Sequence, residues 1–92
     1  MTPEGKVLAA IVKELRRRNV FYRKLRGSVC QQSGMPDTVL IDRGRTIWLE
    51  VKRLGGKPSR LQEIEIQKIR AAGGEAYCVD SVEALITILE SR

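Results

Sequence analysis

One aspartate and a Glu-x-Lys triplet are the residues of this chain best suited to chemistry. Asp37 closes the segment Gly34-Met35-Pro36-Asp37, and Glu50-Val51-Lys52 begins thirteen residues after that aspartate. Two carboxylates and an amine that meet near a strand end can hold a divalent cation beside a positive charge, which suits phosphodiester hydrolysis. The chain has no histidine, so a histidine general base and a histidine-bound zinc ion are both excluded.

Periodicity and turn residues predict an α/β (α+β) domain with the element order αβββαβα and a mixed sheet flanked by helices. A helix lies between the last two strands in the sequence, which favours a parallel crossover pairing between them. Arg43-Gly44 predicts a tight turn, and Gly27 to Pro36 a loop. The predicted elements are a helix from Pro3 to about Asn19, strands Phe21–Leu25, Thr38–Asp42 and Thr46–Lys52, a helix capped by Ser59 and reaching Ala72, a strand Ala76–Val79, and a helix Val82–Leu89 capped by Asp80 or Ser81.

Strand alternation places Glu50 and Lys52 on one face of the third strand, while Ile47, Leu49 and Val51 face the core. In a hairpin with the preceding strand, Asp37 can lie beside Glu50. A divalent cation would remove the repulsion between the two carboxylates. Lys52 could orient the attacking water or stabilise developing negative charge. The alternative is a solvated ion pair between Glu50 and Lys52 with no chemical role.

Two further polar residues each allow a structural and a functional interpretation. Glu4 lies on the apolar stripe of the first helix, so it is either a first-turn acid that favours the helix dipole or a third acid of the site. Gln62 stands at the capping-box spacing from Ser59, yet it also lies at the inward edge of its helix. Gln62 therefore either caps the helix or contacts Lys52 or a bound water.

Positive charge is concentrated in one stretch of the chain. The net charge is +6 with a pI near 9.8, and Lys13 to Arg26 contains seven cations and one anion. Such a cluster favours a nucleic-acid backbone as partner, although cations at a helix end also complement the helix dipole. The candidate nucleic-acid contacts are Arg16, Arg17, Arg18, Arg23, Lys24, Arg26, Arg53, Lys57 and Arg60.

Composition limits the class of protein further. A length of 92 residues, with 42% hydrophobic and 30% charged residues, fits one small globular domain spanning 1–92. The sequence contains neither a membrane-spanning run nor a signal-peptide pattern, so we expect an intracellular protein without a membrane partner. Cys30 and Cys78 are expected to be reduced structural thiols, because two cysteines without histidine make no zinc site.

The ordered motifs resemble those of the VRR-NUC family, the virus-type replication-repair nucleases of the PD-(D/E)XK superfamily. The resemblance rests on Glu4, Gly34-Met35-Pro36-Asp37-Thr38, Gly44, Glu50-Val51-Lys52, Ser59-Arg60-Leu61-Gln62 and Ala71-Ala72-Gly73-Gly74, and covers nearly the whole chain. It implies a restriction-endonuclease-like core and DNA cleavage with Mg²⁺ or Mn²⁺. It also implies metal ligation by Glu4, Asp37, Glu50 and the Val51 carbonyl, a catalytic Lys52 and an assisting Gln62.

The resemblance to stand-alone phage or bacterial members implies a homodimer that cleaves four-way (Holliday) junctions in the cytoplasm of a bacterial or phage-infected cell. A separate physical argument for a dimer is that two copies present two active sites to symmetric DNA strands. Trp48 and Ile64 are the candidate contacts between them. The alternatives are a nuclease for flaps, nicks or duplex DNA, and a non-catalytic basic module that binds nucleic acid.

Overall fold

The computed structural model describes residues 1–25 and 33–91 and has the predicted element order αβββαβα. The four strands form one sheet in the order β1-β2-β3-β4, with β1, β2 and β3 antiparallel and β3 parallel to β4. The predicted parallel crossover through the second helix is therefore confirmed. The elements are α1 (Pro3–Arg17), β1 (Phe21–Lys24), β2 (Thr38–Asp42), β3 (Arg45–Val51), α2 (Arg60–Ala71), β4 (Glu75–Val79) and α3 (Val82–Glu90).

Side-chain caps define where the helices begin. The Thr2 hydroxyl accepts a hydrogen bond from the Gly5 N–H at 3.0 Å, and the Ser81 hydroxyl caps α3 by accepting from the Ala84 N–H at 3.1 Å. The predicted end of the first helix at Asn19 is wrong by two residues, because α1 ends at Arg17. Asn19 has a φ of 56°, a left-handed conformation that turns the chain out of the helix and towards β1.

The two faces of the sheet are covered differently. Helices α1 and α3 cover one face, where Ile47 and Leu49 are fully buried and Val51 nearly so, as the alternation predicted. Burial of such side chains contributes about 1.5–3 kcal/mol each, so these residues fix which face of β3 is internal. Helix α2 packs on β4 on the second face. Its buried residue Ile66 is not part of the core that α1 and α3 cover. Trp48 lies on the part of this second face that α2 does not cover.

The turn between β2 and β3 sets the register that positions the polar end of the sheet. Arg43 and Gly44 have φ values of 50° and 82°, as a two-residue hairpin of the primed type requires. Thr38 then pairs with Leu49, which places Asp37 opposite Glu50. The predicted strand Thr46–Lys52 starts and ends one residue too late, since β3 is Arg45–Val51.

The predicted strand Thr38–Asp42 matches β2 at both ends, and two other strand limits differ by one residue from the observed ones. Strand β1 ends at Lys24 rather than Leu25, and β4 begins at Glu75 rather than Ala76. The Lys52 N–H still donates to the Val79 carbonyl at 2.9 Å, so strand geometry continues past the end of β3. Glu50 and Lys52 therefore keep the alternation on which the site depends.

Two residues with sequence-based predictions, Arg26 and Cys30, lie outside the described residues. Cys78, on β4, is a half-buried free thiol, and burial is the largest cause that raises its pKa. Across 1–25 and 33–91, no helix is both long and apolar enough to cross a membrane.

Candidate active site

Asp37 is positioned by the close packing of the segment before it against the start of α2. Gly34 has a φ of 83°, and a Cβ at this position would lie 2.6 Å from the backbone carbonyl of Leu61. Only glycine fits both the conformation and the contact. Pro36, fully buried, follows two residues later and leads directly to Asp37. The Gly-Met-Pro-Asp sequence therefore positions the Asp37 carboxylate at the start of β2.

Glu50 and Lys52 project together from β3, as the alternation predicted. The Lys52 Nζ lies 3.8 Å from the Glu50 Oε2, and Glu50 is only 7% exposed. Lys52 is half-buried at the edge of the same face, and Val51 between them is buried on the core side. The pair is therefore not the solvated surface ion pair that was the alternative, because its carboxylate is withdrawn from water.

The pKa of Glu50 is raised by its burial and by the neighbouring acids. The pKa of Glu50 is raised from 4.5 to about 7, first by burial and then by the negative charges of Asp37 and, less strongly, Glu4. The positive charge of Lys52 and the Asp37 backbone N–H oppose the shift. A buried carboxyl facing other carboxylates holds its proton more tightly, so the site resists a second negative charge.

Asp37 has a partner that sequence reasoning did not foresee. The Lys24 Nζ lies 3.0 Å from the Asp37 Oδ2, and the Thr38 hydroxyl donates to the Asp37 Oδ1 at 3.2 Å. The position of Lys24 in the sequence predicts only a nucleic-acid contact within the basic cluster. The contact depends on the register of β1 with β2, which pairs Lys24 with Thr38 and brings the lysine next to Asp37. No spacing in the sequence signals that register.

Glu4 lines a cleft together with Lys52, and its negative charge acts on Glu50. The cleft has a volume of about 350 Å³, and Glu4, Lys52, Arg53 and Lys57 are among its lining residues. Glu4 is exposed in the first turn of α1, so its helix-dipole role and its position near the site coexist. The loop after β3 is held in place by a hydrogen bond from the Gly55 N–H to Asp80 at 2.9 Å.

Gln62 caps α2. Its Oε1 accepts a hydrogen bond from the Ser59 N–H at 2.8 Å, and its own N–H donates to the Ser59 hydroxyl at 3.2 Å. The capping box is therefore confirmed. Among the described residues the Gln62 Nε2 donates no hydrogen bond, while the Oε1 caps the helix.

The donor set suits a hard divalent cation. Asp37 and Glu50 offer carboxylate oxygens, which Mg²⁺ and Mn²⁺ prefer, and a cation between them would relieve the repulsion that raises the Glu50 pKa. Among the described residues, no three acidic or cysteine side chains already form a metal-binding group. The side chains fit an ion that completes its shell with a backbone carbonyl, water or phosphate, as Mg²⁺ commonly does.

The basic stretch predicted as one cluster is divided by the fold. The Glu14 carboxylate lies 2.6 Å from both Arg17 and Arg18, and Arg18 also reaches Glu90 at 3.1 Å. Arg16 donates to the Tyr22 hydroxyl at 3.2 Å. Twelve residues separate Glu4 from Arg16, about 18 Å along the axis of α1. These arginines therefore lie at the end of α1 remote from the carboxylates.

The remaining candidate cations lie in three places. Arg53 and Lys57 line the cleft, and Arg60 opens α2 with its Nη1 3.6 Å from Glu63. Arg23, on β1, places its guanidinium 4.3 Å from the centre of the Phe21 ring. Lys24 and Lys52 therefore contact the Asp37 and Glu50 carboxylates, whereas Arg53 and Lys57 share a cleft with Glu4 and Lys52.

Comparison with known proteins agrees with this fold. No family model and no curated protein matches the chain. A solved structure described as "VRR_NUC domain" superposes with a TM-score of 0.83 at 29% sequence identity, covering 98% of this chain and 97% of the other. The fold defines a nuclease domain of the PD-(D/E)XK type. Within that class the chain is similar in fold and sequence to the VRR-NUC family.

The comparison confirms two of the sequence-based expectations. The resemblance to VRR-NUC nucleases is confirmed, and so is the restriction-endonuclease-like αβββαβα fold with its mixed sheet flanked by helices. Nucleases of this type generally use divalent metals and act on DNA. The assigned roles of Glu4, Asp37, Glu50, Lys52 and Gln62 stay predictions.

Proposed function

We propose that residues 1–92 form one divalent-cation-dependent endonuclease domain that cleaves branched DNA, with four-way junctions as substrate and a homodimer as the active form. The observation that carries the chemistry is the convergence of Asp37 and Glu50 beside Lys52, where Glu50 is buried and its pKa is raised to about 7. The junction preference, the dimer and the cytoplasm of a bacterial or phage-infected cell are supported by the family resemblance.

Each residue of the site has a role that its position supports. Asp37, Glu50, Glu4 and the Val51 carbonyl would hold Mg²⁺ or Mn²⁺, which supplies Lewis-acid activation of the phosphate and a lower pKa for a bound water. Lys52 keeps a positive charge beside Glu50, where it can orient the attacking water or stabilise charge that develops on the phosphate.

Gln62 can assist without leaving its cap. Its Oε1 is committed to the Ser59 N–H, so only the Nε2 can donate to a water or phosphate oxygen. A helix start fixed by two reciprocal hydrogen bonds gives that donor a defined position. We therefore assign Gln62 to orientation of a reacting group and not to proton transfer.

The substrate backbone is proposed to enter through the cleft. Arg53 and Lys57 line it together with Lys52, so three cations face the same space as Glu4. Arg60 begins α2 two residues before Gln62 and extends the positive surface. Arg16, Arg17 and Arg18 would contact a more distant phosphate, as a branched substrate allows.

The dimer is proposed to use apolar surface outside the cleft. Trp48 is half-buried on the sheet face that α2 leaves partly open, and Phe21 and Ile41 are 48% and 42% exposed. The register pairs Phe21 with Ile41, and both share that face with Trp48. Ile64 is half-buried on α2. Sedimentation that finds a fully active monomer at micromolar concentration would remove the dimer from the proposal.

One cleavage experiment tests the proposal. End-labelled four-way junction, flap and duplex DNA are incubated with protein in Mg²⁺, in Mn²⁺ and in EDTA. We expect metal-dependent cutting of the junction in preference to the other substrates. Asp37→Ala and Lys52→Ala should abolish cutting and leave junction binding largely intact. Lys68→Ala, which removes an exposed lysine of α2 that lies 3.7 Å from Glu65, is the control.

The outcomes separate the parts of the proposal. Metal-dependent cutting that favours flaps or duplex keeps the chemistry and changes the substrate. A Lys52→Ala variant as active as wild type overturns the role of that lysine. Folded protein that cuts no substrate in either metal overturns the assignment as an active enzyme.

A further inference from the structure

Lys24 is a second cation in direct contact with the carboxylate site. Its Nζ lies 3.0 Å from the Asp37 Oδ2, closer than the 3.8 Å between Lys52 and Glu50. The two lysine–carboxylate pairs come from neighbouring strands, with Lys24 at the end of β1 and Lys52 just past β3. Asp37 and Glu50 are thus each paired with a different lysine.

The two lysines differ in how firmly they are held. The side chain of Lys24 is 53% exposed and that of Lys52 is 21% exposed. Lys24 also belongs to β1, the edge strand of the sheet, so its side chain can leave Asp37 for solvent or for a phosphate without disturbing a core contact. An exposed ion pair of this kind is weak enough to exchange partners.

We propose that Lys24 is a positioning residue that competes with the divalent cation for Asp37 and moves to a DNA phosphate when the cation binds. The inference rests on the proposed function, because it requires Asp37 to be a metal ligand. A lysine ammonium 3.0 Å from a ligand oxygen would stand within a few ångströms of a cation on that oxygen. Like charges at such a distance repel, so Lys24 must weaken metal binding in the free protein.

The size of this effect follows from Coulomb's law. A divalent and a monovalent cation about 5 Å apart repel by about 1–2 kcal/mol at the dielectric constant of water, and salt and side-chain motion reduce that value. Removal of the Lys24 charge should therefore tighten metal binding by roughly three- to tenfold at low salt. The difference should shrink as salt is added.

The test measures Mn²⁺ affinity of the DNA-free protein, by calorimetry or by paramagnetic resonance of free Mn²⁺. Lys24→Met and Lys24→Gln are compared with wild type, after circular dichroism and thermal melts show that they are folded. Lys68→Met is the matched control, since Lys68 also lies close to a carboxylate and its loss changes net charge equally. Asp37→Asn, alone and combined with Lys24→Met, completes a double-mutant cycle.

We expect both Lys24 variants to bind Mn²⁺ more tightly than wild type, with Lys68→Met unchanged within about twofold. In the Asp37→Asn background Lys24→Met should have a smaller effect, because the lysine and the cation no longer compete for a carboxylate. Lys24 variants that bind Mn²⁺ equally or more weakly, while Asp37→Asn weakens binding, overturn the Lys24 inference alone. Wild-type protein that binds no Mn²⁺ overturns both this inference and the metal site.

Discussion

Replacement of Glu50 by glutamine should stabilise the protein while it removes the chemistry. Glu50 is 7% exposed, and burial together with Asp37 and Glu4 raises its pKa from 4.5 to about 7. The folded state therefore binds a proton between about pH 4.5 and pH 7 that the unfolded state has released. The contribution of protonated Glu50 to the free energy of unfolding is fully present below pH 4.5. It is lost as the pH rises through 7.

The magnitude follows from the same pKa. A rise from 4.5 to about 7 corresponds to about 3 kcal/mol of destabilisation once the pH is well above 7. Glutamine carries no charge, yet it does not reproduce the hydrogen bonding of the carboxylate, which subtracts about 1 kcal/mol. We expect Glu50→Gln to be more stable than wild type by about 1–2 kcal/mol near pH 8. Near pH 4.5 that gain should disappear.

The assay is urea unfolding followed by circular dichroism, in EDTA, at both pH values. Glu63→Gln is the control, because Glu63 lies on the exposed side of α2 and its loss should change stability by less than about 0.5 kcal/mol at either pH. A Glu50→Gln variant that is less stable than wild type by the same amount at both pH values would show that Glu50 is held by favourable contacts. The electrostatic account of the site would then be wrong.

Three further substitutions probe positions outside the carboxylates. Arg45→Met should destabilise the fold by about 2–4 kcal/mol in the same assay, because it removes a bidentate ion pair with β4 and hydrogen bonds to the carbonyls that end α3. Gly34→Ala should lower cleavage at least tenfold with a smaller loss of stability, since the new Cβ meets the Leu61 backbone at 2.6 Å and displaces the aspartate segment; unchanged cleavage would refute this role. Lys57→Met should weaken junction binding more than Arg17→Met in filter binding at fixed salt, because only Lys57 lines the cleft; the reverse order would place the substrate on α1.

The sequence was sufficient to predict the arrangement of Asp37, Glu50 and Lys52. The Arg43-Gly44 turn sets the hairpin register, and the two-residue alternation of β3 then separates the acids from the core. Both signals are local, because each depends on residues close together in the chain. The helix start at Ser59 is equally local, which is why the capping box was visible before the fold was known.

The long-range contacts could not be predicted in this way. The pairing of Lys24 with Asp37 depends on how β1 aligns with β2 across a segment whose length does not fix the register. The basic stretch looked continuous in sequence, yet α1 carries its arginines about 18 Å from Glu4. The basic stretch spans both a helix and a strand, and these elements have different rises per residue. Residues that are close in this part of the sequence are therefore not always close in space.

The stabilising contacts of Arg45 and the carboxylate of Glu50 lie at opposite ends of β3. Arg45 begins the strand and holds Glu75 and the end of α3, whereas Glu50 lies five residues further, about 17 Å along the strand. The two residues share no contact partner among the described residues, so a destabilised carboxylate at one end need not weaken the arginine network at the other. The double variant of Glu50→Gln and Arg45→Met should therefore be additive in unfolding free energy within about 0.5 kcal/mol. A coupling free energy above about 1 kcal/mol would mean that β3 transmits strain between the site and the Arg45 contacts. The effect of the Glu50 charge would then extend beyond its own surroundings.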